Sequence, residues 1–271
     1  MKKFQYILYI LLAAVIIGLL VYDYMPDHII ESHTISKAII VLVGIALGML
    51  RTATNAHKQV SNKKALYSNA YGEFIGTAFA YDKKLEKLFY DAVDDFNQDK
   101  PAAAIDKLEK LRARYHRSDD LYAVTVFQAF CYDNMELYEK AIEKYYASLQ
   151  IRANSIVASN MGLCQDKLGQ LEQAEASYQQ ALLLDPQNHN AYNNLAQQSL
   201  RARDYVHALE YSKQALAINP KMPQALNAAT VSSYMLGDTS GYETYYRQAV
   251  SNGSDGNQIK AYIKSLDTRI N

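Results

Sequence analysis

The sequence has no tryptophan, two cysteines and no excess charge, with 28 acidic and 28 basic residues among 271. The charge balance removes the basic bias that would point to nucleic acid. Two cysteines without a CxxC pair do not make a disulfide framework; Cys131 and Cys164 read as buried core residues. There is no P-loop, GxGxxG, HExxH or GxSxG, so the sequence offers no motif for a phosphate cradle, a zinc peptidase or a serine hydrolase. His28 and His33 lack metal-ligand spacing. The expectation is a non-enzymatic protein with no cofactor and no metal.

What is present begins with two apolar runs. Phe4 to Tyr22 contains no charged residue. As a helix it rises roughly 28 Å, about the thickness of a bilayer's hydrocarbon core. A second run, Ile35 to Leu50, reaches spanning length when extended to residues 34–53. Lys37 and Arg51 then lie near opposite ends, where long stems can reach the headgroups. Ala14 and Gly18 form a small-residue ridge on the first run, and Gly44 and Gly48 one on the second, so the two can pack closely as a hairpin. Lys2 and Lys3 precede the first run, and Arg51, Lys58, Lys63 and Lys64 come after the second. The loop between them carries Asp23, Asp27 and Glu31 and no Lys or Arg. The positive-inside rule therefore predicts a two-span membrane protein with both ends cytoplasmic. In that compartment the sequon Asn252-Gly253-Ser254 is inert.

Residues 54–84 form a basic juxtamembrane stretch that turns aromatic. Tyr67, Tyr71, Phe74, Ile75 and Ala78 recur at helical spacing, which predicts a helix that either caps the C-terminal part of the chain or touches the membrane. Capping is the preferred reading.

Beyond residue 85 a frame repeats. Ala174, Tyr178, Ala181 and Pro186 return as Ala208, Ser212, Ala215 and Pro220. Asn160-Met161-Gly162 returns as Asn194-Leu195-Ala196. Turns are expected at Leu168-Gly169-Gln170 and Leu236-Gly237-Asp238, and helix stops at Asp185-Pro186 and Pro220. Fainter copies cover 85–118, 122–154 and 223–253, and Asn257 to Arg269 reads as a closing helix. His116-Arg117-Ser118-Asp119 reads as a charged inter-repeat loop, and the pairs Asp94-Asp95 and Asp119-Asp120 as exposed charges. Such a period marks helix pairs that bury a core only by stacking on their neighbours. The 23 tyrosines suit the layers between them.

The segment Asn160 to Pro186 resembles the tetratricopeptide repeat family, with Ala158 and Gln165 at two favoured aromatic positions. The resemblance covers about Leu85 to Asn271. It implies an all-α solenoid of four to five helix pairs behind two transmembrane helices. In the family the first helix of each pair lines a concave groove that binds protein segments. Asn160, Asn190, Asn193, Asn194, Gln197, Arg201 and Asn227 map to that groove, with Tyr192, Leu195, Ala196 and Ser199 facing the stack. Amides offer donors and acceptors to an extended peptide backbone. The family's carboxylate clamp requires a Lys that this chain lacks at Ser159 and Asn193, so capture of an acidic C-terminus is not expected. Two functions fit: a membrane-anchored scaffold that binds peptide segments of partner proteins, or an accessory subunit that meets a membrane enzyme or transporter through its spans.

Overall fold

The computed structural model describes residues 63–67, 70–112, 114 and 117–267. The chain divides into two units, 1–69 and 70–271. In the first only the helical stretch 63–67 is described. The expected spans 4–22 and 34–53, with Ala14, Gly18, Gly44 and Gly48, lie outside the described residues. Among the described residues no helix is long and apolar enough to cross a membrane.

The second unit opens with a short helix at 70–75 and a run of turns. Five helix pairs come next: α1 (Lys83–Asn97) with α2 (Pro101–Arg112), α3 (Ser118–Asn134) with α4 (Tyr138–Ile151), α5 (Ser155–Lys167) with α6 (Leu171–Leu184), α7 (His189–Arg201) with α8 (Tyr205–Ile218), and α9 (Pro223–Met235) with α10 (Thr239–Ser251). A last helix, α11 (Gly256–Leu266), closes the array. No strand occurs among the described residues.

Local sequence explains where these helices start and stop. Side chains of Asp82, Asn154, Asn188, Asp204, Asp238 and Asp255 accept from backbone amides that the helix itself leaves unpaired. Pro101 and Pro223 begin α2 and α9, where a missing N–H costs nothing. Two places beyond the end of each first helix stands a residue with positive φ: Asp99 (57°), Glu136 (57°), Gly169 (74°), Arg203 (61°) and Gly237 (76°). Glycine takes this left-handed conformation freely; the other three side chains adopt it against a steric cost.

Within a pair the helices touch through small residues. A Cβ added at Gly162 would stand 2.8 Å from Tyr178 Cε1 and 3.1 Å from the Ala174 carbonyl oxygen. Tyr178 is thereby fully buried, in one cluster with Ala158, Ala174, Ala181, Ala191 and Leu195. The next layer joins Ala196, Leu200, Ala208, Leu226, Ala228, Val231 and Ala249 to Ile259 and Ile263 of α11. In α11, Ile259 and Ile263 are buried, while Tyr262 is 40% exposed.

Each second helix packs on the first helix of the following pair. The first helices also touch one another, α1 on α3, α5 on α7 and α7 on α9, whereas no two second helices make a comparable contact among the described residues. The first helices are therefore closer together, and the face they share is the concave one.

Candidate functional site

The shared turn position aligns the first helices and shows which residues line their common face. One stripe runs Val126, Ser159, Asn193, Asn227; the next runs Phe127, Asn160, Asn194, Ala228; a third runs Phe130, Leu163, Gln197, Val231. The face is thus aromatic at α3 and amide-rich from α5 onward.

At the amide end, Gln197 and Asn227 come together. They line a cleft of about 250 Å³ with Leu200, Ala228 and Val231, walled on the far side by Asp255, Gln258, Ile259 and Tyr262 around α11. Gln197 donates to the Gln224 carbonyl oxygen at 3.1 Å. Asn193 is only 7% exposed, and its Oδ1 has no hydrogen-bond partner within the protein; neither has Asn227 Oδ1. A buried carbonyl oxygen left unpaired costs about 1–3 kcal/mol. These two acceptors stand one repeat apart, both closed off from solvent.

The other expected groove residues divide. Asn190 is exposed and Asn194 half-buried. Asn160 is half-buried near the Tyr145 hydroxyl, which donates to Asp133 and whose pKa burial and that carboxylate hold well above its ordinary value. Burial also raises Asp133, against hydrogen bonds from Cys164 and Tyr145. Arg201 does not join the cleft. Its Nη2 donates to both carboxylate oxygens of Asp166 on the preceding first helix, at 2.7 Å and 2.5 Å, and it lines a separate hollow of about 580 Å³ with Leu171, Glu172, Asp204, His207 and Tyr211. A carboxylate one repeat earlier at the same helix end accounts for the difference. Tyr192 and Ser199, expected against the stack, are half-buried, while Asn193 is more buried than either.

At the aromatic end the face is covered by the chain itself. Tyr71 meets Phe127 edge-on at 5.3 Å, Phe74 meets Phe130 at 5.3 Å, and Phe79 lies 5.5 Å from Phe89. Phe96 of α1 completes the cluster against Phe127 and Phe130. Polar contacts surround it. The Phe79 amide donates to Asp120 Oδ1 at 2.7 Å and the Tyr81 hydroxyl to Asp120 Oδ2 at 2.8 Å. Thr77 donates to Asp119, which also accepts from Arg152 at 2.5 Å. Arg152 and Asn154 donate to the carbonyl and carboxylate of Glu73. The Arg152 guanidinium sits over the Tyr122 ring at 4.3 Å; burial outweighs its charge and pushes the Tyr122 hydroxyl up to about 12.

The expected cap is present at this end, but sequence reasoning misplaced its partners. It places Asp119 and Asp120 as exposed charges, with Ser118-Asp119 in a loop; both acids lie in the first turn of α3, and Asp120 is fully buried. The helix expected through Ala78 ends at residue 75, where Gly76 turns the chain with φ of 50°. Phe127 and Phe130 were findable by carrying the Asn160 and Gln197 stripes back along the repeats. Cys131 and Cys164 are free and buried, and burial pushes the Cys131 thiol up to about 12, away from nucleophilic chemistry. No group of three or more acidic, His or Cys side chains suited to a metal occurs among the described residues.

A family model described as "Tetratricopeptide repeat" matches residues 157–188. The chain is 36% identical over 94 residues to Tetratricopeptide repeat protein 9C of Xenopus tropicalis, covering 34% of this chain and 53% of that one. It is 25% identical over 182 residues to the protein CTR9 homolog of Arabidopsis thaliana, covering 58% of this chain and 17% of that one. The chain thus spans about half the length of one curated relative and less than a fifth of the other. Among solved structures, Pseudomonas aeruginosa pilF superimposes with a TM-score of 0.57 at 18% identity, over 68% of this chain and 85% of that one. A crystal structure of MamA gives 0.53 at 16% identity, over 63% and 96%. At these identities the likeness speaks to the fold alone.

Proposed function

Because this chain carries tetratricopeptide repeats, we propose that it is a membrane-anchored interaction scaffold whose open, amide-lined half of the concave face binds extended peptide segments of partner proteins. The carrying observation is the pair of buried acceptors, Asn193 Oδ1 and Asn227 Oδ1, one repeat apart and without partners. Both oxygens are covered, and two backbone N–H groups of an extended peptide would satisfy them once the amide side chains turn toward the groove. Residues of a strand rise about 3.3 Å each, so such a peptide reaches successive repeats within a few residues. The adjoining cleft with Leu200, Val231 and Ile259 offers an apolar seat for one side chain. The one charged residue lining that cleft is Asp255, which suits an uncharged or basic segment better than an acidic tail.

Anchorage rests on the two apolar runs at 4–22 and 34–53, the first without a charged residue and the second with only Lys37 and Arg51 near its ends, and on the basic residues that flank them. Holding the repeats at a bilayer raises their effective concentration toward partners confined to the same membrane. No step of chemistry is assigned to the chain; its work is to hold.

The test is cross-linked capture by the full-length chain, compared with Asn193→Ala/Asn227→Ala and with Gly44→Leu/Gly48→Leu. The amide variant should lose partners while staying in the membrane fraction. Retained capture in that variant, with loss in the glycine variant, moves the primary contact to the spans and makes the chain an accessory subunit instead. Digestion of the repeats by protease from outside sealed, inside-closed vesicles overturns the cytoplasmic placement.

A further inference from the structure

The covered end of the concave face presents the same positions as the open end, filled by different residues. Val126, Phe127 and Phe130 occupy the places that Asn193, Asn194 and Gln197 take two repeats on. What lies on them is not a repeat. Residues 70–81 are about one and a half turns of helix followed by turns, and they hold to the first helices through a few side-chain anchors. Tyr71, Phe74 and Phe79 supply the anchors, and Asp120 and Arg152 hold the backbone between them.

Two features suit this segment to exchange. Phe79 has φ of 56°, a conformation that a bulky side chain avoids. The other non-glycine residues with positive φ among those described are Asp99, Glu136 and Arg203, all in the turn that ends a first helix; Phe79 stands apart from that pattern. Its strain is held by full burial and by the bond to Asp120, and it relaxes when the segment leaves. The outer fastening is also open to competition: the Arg152 and Asp119 side chains are 38% and 31% exposed, so water can replace their pairing.

We propose that the aromatic half of the concave face is a second recognition site, for a short segment with aromatic residues spaced as Tyr71, Phe74 and Phe79. Residues 70–81 occupy it as an exchangeable internal ligand, and a partner segment of that chemistry takes their place. This goes beyond the amide-half reading and shares with it only the concave face. Because the internal ligand is tethered, its effective concentration is high, and a free segment competes poorly until the tether's own anchors are weakened.

The probe is a fluorescent synthetic peptide of residues 70–82, titrated into the full chain in detergent. Phe74→Ala/Phe79→Ala should bind it at least tenfold more tightly than the unaltered protein, and adding Phe127→Ala should abolish that binding. If the double variant keeps its helicity and binds no better than the unaltered chain, the segment is a fixed part of the fold and the proposal fails. Hydrogen exchange on the unaltered protein gives an independent measure. The Phe79 amide should open well before the amides in the centre of α3, and equal protection overturns the idea. Asn193→Ala/Asn227→Ala should leave peptide binding unchanged. If that variant loses the probe, the peptide sits in the amide half; this proposal then fails while the open-groove reading stands.

Discussion

The two halves of the concave face share one backbone frame and differ in what they ask of their surroundings. At α1 and α3 the face is Phe89, Phe96, Phe127 and Phe130, and it is buried under residues 70–81. At α5, α7 and α9 it is Asn160, Asn194, Gln197 and Asn227, left uncovered by that segment. Apolar surface of the first kind is driven out of water and recruits the chain's own residues as a cover. Amide surface of the second kind is content in water, except where burial strands an acceptor as at Asn193 and Asn227. A single repeat architecture can thus hold one closed and one open surface, decided by a few side chains per helix.

The sharpest way to break this comparison is substitution at one aligned position. Phe127→Ala should cost about 3–5 kcal/mol in urea denaturation, from lost transfer energy and the cavity left behind. Asn194→Ala, two repeats on, should stay within about 0.5 kcal/mol. Equal losses would mean that both halves are core. The next effect tests the layer beneath the face. Gly162→Ala should destabilise by about 1–3 kcal/mol, because the new Cβ meets the Tyr178 ring. Shortening Tyr178 to Ser in that background should recover part of the loss, since Ala196 and Ser212 hold the corresponding places in the following pair. An additive double-mutant cycle would show the clash to be relieved elsewhere.

Smaller changes distinguish the turns. Arg203→Gly should raise stability by about 0.5–1 kcal/mol, and Gly169→Ala should lower it by a similar amount, as judged from thermal midpoints. A Cβ at Gly169 meets nothing within 4 Å, so the effect there is one of backbone conformation. The smallest effect belongs to the exposed pair Asp204–His207. Its hydrogen bond, at 2.6 Å, lowers the Asp204 pKa from 3.8 and raises that of His207 from 6.5. The raised His207 pKa gives stability that is complete below 6.5 and is lost as pH rises through the folded value. The lowered Asp204 pKa gives stability present above 3.8 and lost as pH falls through the folded value. A His207→Ala chain should therefore lag the unaltered one in thermal midpoint mainly between these limits, with the gap closing in alkali. A constant gap from acid to alkali would assign the contact to packing instead.

Much of the architecture was legible because repeats announce themselves locally. Pro186 and Pro220 come just after the helices they stop, Gly169 and Gly237 take the left-handed turns, and Asn or Asp caps stand at helix starts. Each signal needs only its own neighbourhood. The apolar spacing of Tyr71, Phe74, Ile75 and Ala78 favours a cap over this end, but its partners were not legible because they lie far along the chain. The amide that pairs with buried Asp120 comes from Phe79, 41 residues earlier, and an acid beside another acid otherwise looks solvated. The amides were read as groove residues from their type and place, and which of them would be left without a partner was not legible. Arg201 looked available until Asp166, on another helix, claimed it.

The neighbour-only stacking of the pairs carries a consequence for lineage and design alike. Both ends of the array are finished by pieces that are not repeats, residues 70–81 at one end and α11 at the other. A copied internal pair could be inserted between α6 and α7 with its ends already matched, leaving both finishing pieces on their original partners. Such an insertion would lengthen the uncovered half by one pair and leave the covered half untouched. The amide surface is in this sense a ruler with adjustable divisions, and the aromatic end is its fixed zero.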